Sequence, residues 1–347
     1  EGSIRRMSSE QLITTAFGFA ALLPLVSAAL AILSPMYWPG GWGHKFTGYV
    51  TTGAMAFSFL LSLVAAGTWI NLPDAAPIAT YIPWIPLINS DHASYLYLGI
   101  LVDGLTVAMM VMVTFISMLV HVYSMGYMDG DKRYGRFFAY LSLFTFSMLG
   151  IVLSNSIMQM FVFWELVGLT SYLLIGFWFE KQGPRLASKK AFVMNRVGDA
   201  GFIVGFGILF YQLGGNVLLP GAGGVVNGQP VLDMMGVLEL RGINVADPGV
   251  HNWWLTIAGI GLFCGAIGKS AQFPLQTWLL DAMEGPTPVS SIVHSATMVA
   301  AGVYLTGRIY PILTPDAHLF VATIGLITLV MAALMAMVMT DIKKVLA

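Results

Sequence analysis

Nine stretches of this 347-residue chain are each about twenty residues long and apolar nearly all round, at roughly 11–33, 46–70, 97–123, 134–153, 156–178, 190–213, 253–275, 287–309 and 318–340. About 20 predominantly apolar residues in a helix cross the hydrocarbon core of a bilayer. Within that core every backbone amide and carbonyl must find a partner, so only helices and closed barrels can span it. Runs this long and this uniform exclude barrel strands. The expected fold class is all-α, a polytopic transmembrane helical bundle of about nine spans. Composition agrees: 57% of the residues are hydrophobic and only 10% charged, against about 25% charged in soluble domains.

The formal net charge of −1 offers no footprint for nucleic acid. The single cysteine, Cys264, excludes a disulfide framework and any thiolate cluster for zinc or iron–sulfur. Arg5 and Arg6 precede the first run, as in a signal peptide, but the run is long, lacks a clear small-residue cleavage site and is followed by many like it. It is read as a span.

The connections differ in kind. Residues 71–95 are rich in proline and aromatics and are expected to form an ordered surface loop, and 214–252 hold a glycine-rich, turn-forming stretch. The remaining connections are short, so successive helices should be antiparallel neighbours. Residues 1–96, two spans and a loop, precede a second part at 97–347 that holds most of the buried ionisable groups.

Alternating nine spans across a membrane puts Lys45, Lys132, Arg133, Arg136, Lys181, Arg185, Lys189, Lys190, Lys343 and Lys344 on one face and Arg5, Arg6, Arg241 and Arg308 on the other. Basic residues accumulate on the cytoplasmic side. The N-terminus is therefore expected on the non-cytoplasmic side.

Asp103, His121, Glu165, Arg196, Asp199, Lys269 and His294 lie within the apolar runs. One charge at the centre of a helix costs about 2.5–3.5 kcal/mol on insertion scales, and such residues are by default functional. Glu165 is near mid-span, where its bland reading is a carboxylate that fixes helix packing. Arg196 and Asp199, three apart, share a helix face; they can pair with each other or reach across to another helix. Asp103 and His121 fall towards opposite ends of one run and read equally well as interface residues. Asp281 and Glu284 sit in a short connection and are expected to be solvated.

Lys269 carries the sharpest signal. It stands five residues before Pro274, whose ring clashes with the carbonyl of Ser270 and should break the helix just after the lysine. Broken helices at membrane depth line protein-buried or water-filled cavities. A lysine there can exchange its proton as neighbouring charge changes; the competing reading is snorkelling to the interface. His294 follows Thr287 and Pro288, which suit an N-cap and the first turn, so it should lie two turns into the next helix. Histidine relays protons near neutral pH. His121 and His294 are poor candidates for paired haem ligands, and no phosphate-binding loop or metal-ligand cluster is visible. The chain thus holds proton-handling groups without redox or nucleotide chemistry of its own.

The stretches FVFWELVGLTSYLLIGFWFEK, NRVGDAGFI and GKSAQFPLQTWLLDAMEGPTPVSSIVHSATMVAAGVYL resemble the large antiporter-like subunits of respiratory complex I, the subunit L of bacterial NADH:quinone oxidoreductases and subunit 5 of mitochondria. The resemblance runs from about Asp103 to the C-terminus. It implies that Glu165, on the fifth helix, and Lys269, on a broken seventh helix, form a coupled pair. It gives Arg196 and Asp199 to the motif of the sixth helix and His294 to a central hydrophilic axis. Asp281, Pro286, Thr287 and Pro288 match the connection after the break, and Asp103 a VDGL motif that opens the third helix. Members of the family run on for several helices past the position of DIKKVLA, so the resemblance implies a longer polypeptide, of which this chain is expected to be a part. Related subunits of sodium/proton antiporter complexes often carry a lysine after the histidine, where Ala300 and Ala301 stand here.

The resemblance implies a proton-translocating subunit of an NADH:quinone oxidoreductase in a bacterial inner membrane, driven by quinone reduction elsewhere in the complex. The chain itself would hold no cofactor; flavin, iron–sulfur clusters and quinone would reside in partner subunits. Its partners would be other membrane subunits, above all neighbouring antiporter-like ones, together with lipid, protons and water. The alternatives are a subunit of a multi-subunit cation/proton antiporter and a structural membrane anchor. Direct quinone chemistry has no residue to support it.

Overall fold

A computed structural model describes residues 2–37, 41–72, 76–87, 94–218, 225–226, 229–230 and 253–347. The helices are α1 (Gly2–Tyr37), α2 (Gly41–Ile70), α3 (Gly104–Tyr127), α4 (Tyr134–Leu153), α5 (Ile157–Ile175), α6 (Gln182–Leu218), α7 (Trp253–Lys269), α8 (Thr277–Asp281), α9 (Thr287–Ser295), α10 (Met298–Ile309), α11 (Pro315–Val338) and α12 (Ile342–Leu346). Among the described residues, eight helical segments are long and apolar enough to cross a membrane, with α9 and α10 counting as one crossing. The ninth expected span is the shorter α7, which the chain prolongs through a break into α8. The all-α reading of the sequence therefore holds.

Short strands occupy part of the expected surface loop. The strand β1 (Ile78–Ala79) pairs antiparallel with β4 (Leu101–Val102), and β2 (Ile82–Leu87) with β3 (Ser94–Leu98). This pairing shortens the third span, expected from residue 97, because the chain is extended up to Asp103. That residue ends the extended segment by capping α3, its carboxylate accepting the Thr106 amide at 2.9 Å. Most of the glycine-rich 214–252, including Arg241, lies outside the described residues; the small antiparallel pair of β5 (Val225–Val226) and β6 (Gln229–Pro230) is described.

The bundle is centred on α4. In its apolar window 78% of residues are buried, against 6% for α11, which presents nearly its whole circumference outward. Around α4 pack α1, α2, α3, α5 and α10. A second, tighter contact joins α6 to α7, where a Cβ on Gly261 would come 2.7 Å from the Gly205 Cα and one on Gly198 would come 2.9 Å from the Gly268 Cα. Only glycine lets the two backbones touch there. That seam sets Asp199 of α6 level with Lys269 of α7.

Contacts between distant elements fit the alternation of nine crossings. On the face that carries most basic residues, Lys343 donates to the Met283 carbonyl at 3.0 Å, and the Tyr127 and Thr287 hydroxyls lie 3.4 Å apart. On the opposite face, the start of α3 is bound to the end of α10 through Asp103 and Arg308.

Candidate functional site

Glu165 is the ninth of the nineteen residues of α5, at mid-span as expected. It forms an ion pair with Arg196 of α6. The same guanidinium stands 3.6 Å from Asp199, one turn on, and lies over the Phe192 ring at 4.6 Å. Both readings of Arg196 thus apply at once: it meets the neighbour on its own helix and reaches across to another. Asp199 is buried, and its Oδ1 accepts a hydrogen bond from the Trp164 indole at 2.7 Å.

Lys269 is the last residue of α7 and is fully buried, so it does not snorkel to an interface. Its ammonium lies 5.7 Å from the centre of the Trp164 ring, a cation–π arrangement. It also rests against the backbone of α5. A Cβ on Gly168 would come 2.5 Å from the lysine Nζ and 3.1 Å from Arg196 Nη2. One turn beyond Glu165, then, a missing side chain makes a notch that receives two cations. Trp164, the residue before Glu165 in sequence, joins Asp199 to Lys269 through the two parts of its indole. Its adjacency to Glu165 was visible; its partners, on two other helices, were not.

The helix ends at Lys269 by a Schellman closure. The Gln272 amide donates to the Ile267 carbonyl at 2.9 Å and the Ala271 amide to Gly268 at 3.3 Å, with Ala271 in the left-handed region at φ 51°. The Gly268 carbonyl also accepts from the Trp278 indole at 3.0 Å. Beyond the break, the Ser270 hydroxyl donates to Val299 of α10 at 2.6 Å and the Phe273 amide to Thr328 of α11 at 3.0 Å. Neighbouring helices hold the unwound segment in place, the condition for irregular backbone at membrane depth.

Trp278 leads on to His294. The two rings are 6.2 Å apart. His294 occupies the last turn of α9, and the helix is interrupted directly after it before resuming as α10 at Met298. The N-cap is Pro286, one residue earlier than the Thr287 expected, so Thr287 and Pro288 both fall in the first turn. The interruption was not foreseen. It coincides with a bond from the Thr297 hydroxyl to the Ile292 carbonyl at 2.7 Å, which competes with the helical ladder.

Several buried polar atoms here lack a hydrogen-bond partner: Lys269 Nζ, Asp199 Oδ2, Arg196 Nε, Asn195 Oδ1, Gln272 Oε1, Gln276 Oε1 and His294 Nδ1. Buried polar groups are usually satisfied, so these atoms keep hydrogen-bonding capacity to spare, as do others away from this cluster such as Thr52 Oγ1, Asn155 Oδ1 and Arg308 Nε.

Other candidates resolve differently. Asp281 is not simply solvated, since it pairs with Lys190 at 2.6 Å with both side chains about half exposed; Glu284 lies against Gly183. Asp103 accepts a two-pronged ion pair from Arg308, Nη1 to Oδ2 at 2.5 Å and Nη2 to Oδ1 at 3.0 Å. Arg308, expected in a connection, is buried in the last turn of α10. His121 is fully buried between α3 and α4, with Nδ1 2.8 Å from the Ser117 carbonyl and Nε2 3.2 Å from the Ser142 hydroxyl. Among the described residues no three His, Cys, Asp or Glu side chains converge as a metal site would require.

Residues 154–347 match the family model described as NADH:quinone oxidoreductase/Mrp antiporter, TM, and residues 84–138 match NADH-Ubiquinone oxidoreductase (complex I), chain 5 N-terminus. The chain is 38% identical over 340 residues to NADH-quinone oxidoreductase subunit L of Neisseria meningitidis serogroup A, covering 96% of this chain and 47% of the relative. It is 43% identical over 306 residues to the chloroplastic NAD(P)H-quinone oxidoreductase subunit 5 of Nephroselmis olivacea, covering 88% and 44%. It thus spans less than half the length of either relative. A solved structure of the Mrp complex from Dietzia sp. DQ12-45-1b superposes with a TM-score of 0.72 at 25% identity, covering 98% of this chain and 32% of the other.

Proposed function

The chain belongs to the NADH:quinone oxidoreductase/Mrp antiporter family of membrane proteins, and from that premise we propose that it translocates protons as an antiporter-like subunit of an NADH:quinone oxidoreductase. One observation carries the reading: Glu165, Arg196, Asp199 and Lys269 converge from three helices at the point where the third of them breaks. Two carboxylates and two cations share one cluster, in which Asp199 and Lys269 are buried and Glu165 and Arg196 about 30% exposed, and the Lys269 ammonium has no hydrogen-bonded partner. In this account Lys269 holds the proton that moves. A change of charge at Glu165 redirects Arg196 between Glu165 and Asp199, and so alters the field at the ammonium beside it. The proton then passes over the Trp278 edge towards His294 by water that the partnerless Oε1 atoms of Gln272 and Gln276 can bind.

Moving one elementary charge against 100 mV requires about 2.3 kcal/mol, which a driving reaction must supply. The energy comes from quinone reduction in partner subunits that hold the flavin and iron–sulfur clusters. Residues 97–347 form the translocating part. The face bearing Lys132, Arg133, Arg136, Lys181, Arg185, Lys189 and Lys190 is cytoplasmic and the N-terminus is not, in a bacterial inner membrane.

The likeness to the Mrp complex favours a second reading, exchange of protons for another cation without electron transfer. Proton movement in vesicles, followed with and without NADH, quinone and sodium, separates the two. Pumping that requires NADH and quinone and is indifferent to sodium is the expected result; sodium-driven proton movement without electron transfer would replace it with the second.

A further inference from the structure

We propose that the cavity between α4, α5 and α6 at the basic face of the bundle binds the phosphate headgroup of an acidic membrane lipid. The cavity measures about 210 Å³ and is lined by Arg136 and Tyr140 of α4, Tyr172 of α5, and Arg185 and Ser188 of α6, with Phe177 among its apolar walls. None of these groups takes part in the Glu165–Lys269 cluster.

The charge balance around it suits an anion. Seven basic residues, Lys132, Arg133, Arg136, Lys181, Arg185, Lys189 and Lys190, stand at this end of α4 and α6. Arg133 pairs with Glu180 at 2.9 Å, and Lys190 with Asp281 at 2.6 Å. Arg136 and Arg185 have no ion pair or side-chain hydrogen bond among the described residues, yet both line the same cavity. Both are exposed at the rim of the cavity, where two guanidiniums with no protein carboxylate beside them are free to converge on an anion. A phosphate, with its several oxygens, accepts their paired N–H donors in the geometry that arginine favours. The Tyr140 and Tyr172 hydroxyls supply further donors.

The walls argue for lipid over free phosphate. Ser188 is almost fully buried, and a Cβ on Gly176 would come 2.8 Å from its hydroxyl, so the floor closes only because position 176 is glycine. The Tyr172 ring is held edge-on to Phe192 at 5.5 Å. The cavity sits where α4 begins, α5 ends and the apolar stretch of α6 starts, which is the depth at which headgroups lie. A phosphate that also carries glycerol and the first acyl carbons has use for the apolar wall; a free phosphate does not.

The test uses the whole complex in nanodiscs containing phosphatidylglycerol with a photoactivatable group near its glycerol, or the phosphatidylcholine equivalent. Adducts are mapped by peptide mass spectrometry. The acidic probe should label the segment 172–179, and Arg136→Gln with Arg185→Gln should lower that labelling by at least ~tenfold, as expected on losing two charge-assisted contacts. Lys190→Gln, which disturbs a neighbouring but already paired charge, should leave it unchanged. Equal labelling by both lipids, or labelling indifferent to the arginines, would overturn the proposal. So would loss of labelling on adding inorganic phosphate at matched ionic strength, which would assign the site to the free anion, or a cross-link from this segment to a partner subunit in place of lipid.

Discussion

Two clusters of charge in this bundle use the same residue types to opposite effect. Where α3 meets α10, Asp103 and Arg308 are matched: both carboxylate oxygens face Nη groups, and Arg308 also donates to Thr106 and Tyr304, each at 2.5 Å. Where α5, α6 and α7 meet, Arg196 is shared between two carboxylates and Lys269 has no hydrogen-bonded partner. Burial of a charge therefore does not by itself identify a working group. The distinction lies in how the charged atoms are matched: both oxygens of Asp103 and both Nη groups of Arg308 are bonded, with only Nε left over, so that pair fixes helices, whereas a cation shared or left without a hydrogen-bonded partner can change partners.

Breaking one half of the Asp103–Arg308 pair should have the largest effect. Arg308→Leu strands a buried carboxylate, a loss of about 3–5 kcal/mol, and should sharply lower the amount of assembled subunit on native gels. Adding Asp103→Asn, which keeps a capping side chain, should restore much of the assembly and leave pumping per complex normal. Pumping that stayed defective in the assembled double variant would move this pair out of the structural class.

Next comes Trp164→Phe, which keeps a ring over Lys269 but removes the donor to Asp199. A hydrogen bond to a charged group is worth about 1.5–3 kcal/mol, so the thermal midpoint of the complex should fall while assembly persists. Proton pumping per electron transferred should drop with it; an unchanged ratio would mean that the indole serves packing only.

The smallest change in stability, and the sharpest probe of function, is Gly168→Ala. The flexible tip of Lys269 can give way to the new methyl, and alanine favours the helix over glycine by about 1 kcal/mol, so stability should hardly change. The ammonium cannot stay where it is, and pumping should fall several-fold. Normal pumping would show that the position of the lysine head is not critical.

The bundle was legible because hydropathy alone demands it, and the break after Lys269 because Pro274 cannot continue a helix. The residue that closes the break was not legible: Ala271 takes a left-handed conformation normally given to glycine. The interruption after His294 has no proline or glycine to announce it. Glu165, Arg196, Asp199, Lys269 and His294 stood out as ionisable groups in apolar runs, yet their partners were another matter. The pair implied for Glu165 was Lys269, whereas its ion-pair partner here is Arg196. Arg308 passed for a connecting residue because it lies at the end of its run, where hydropathy cannot tell a solvated arginine from one bound to the start of another helix.

The most direct test of the account is Lys269→Met in the assembled complex, with electron transfer and proton pumping measured side by side in vesicles. Methionine fills the same space without a proton to exchange. Intact assembly with a sharp fall in pumping and in the turnover coupled to it is the expected result. Both activities persisting unchanged would contradict a translocating role for Lys269, and with it the mechanism proposed for this chain.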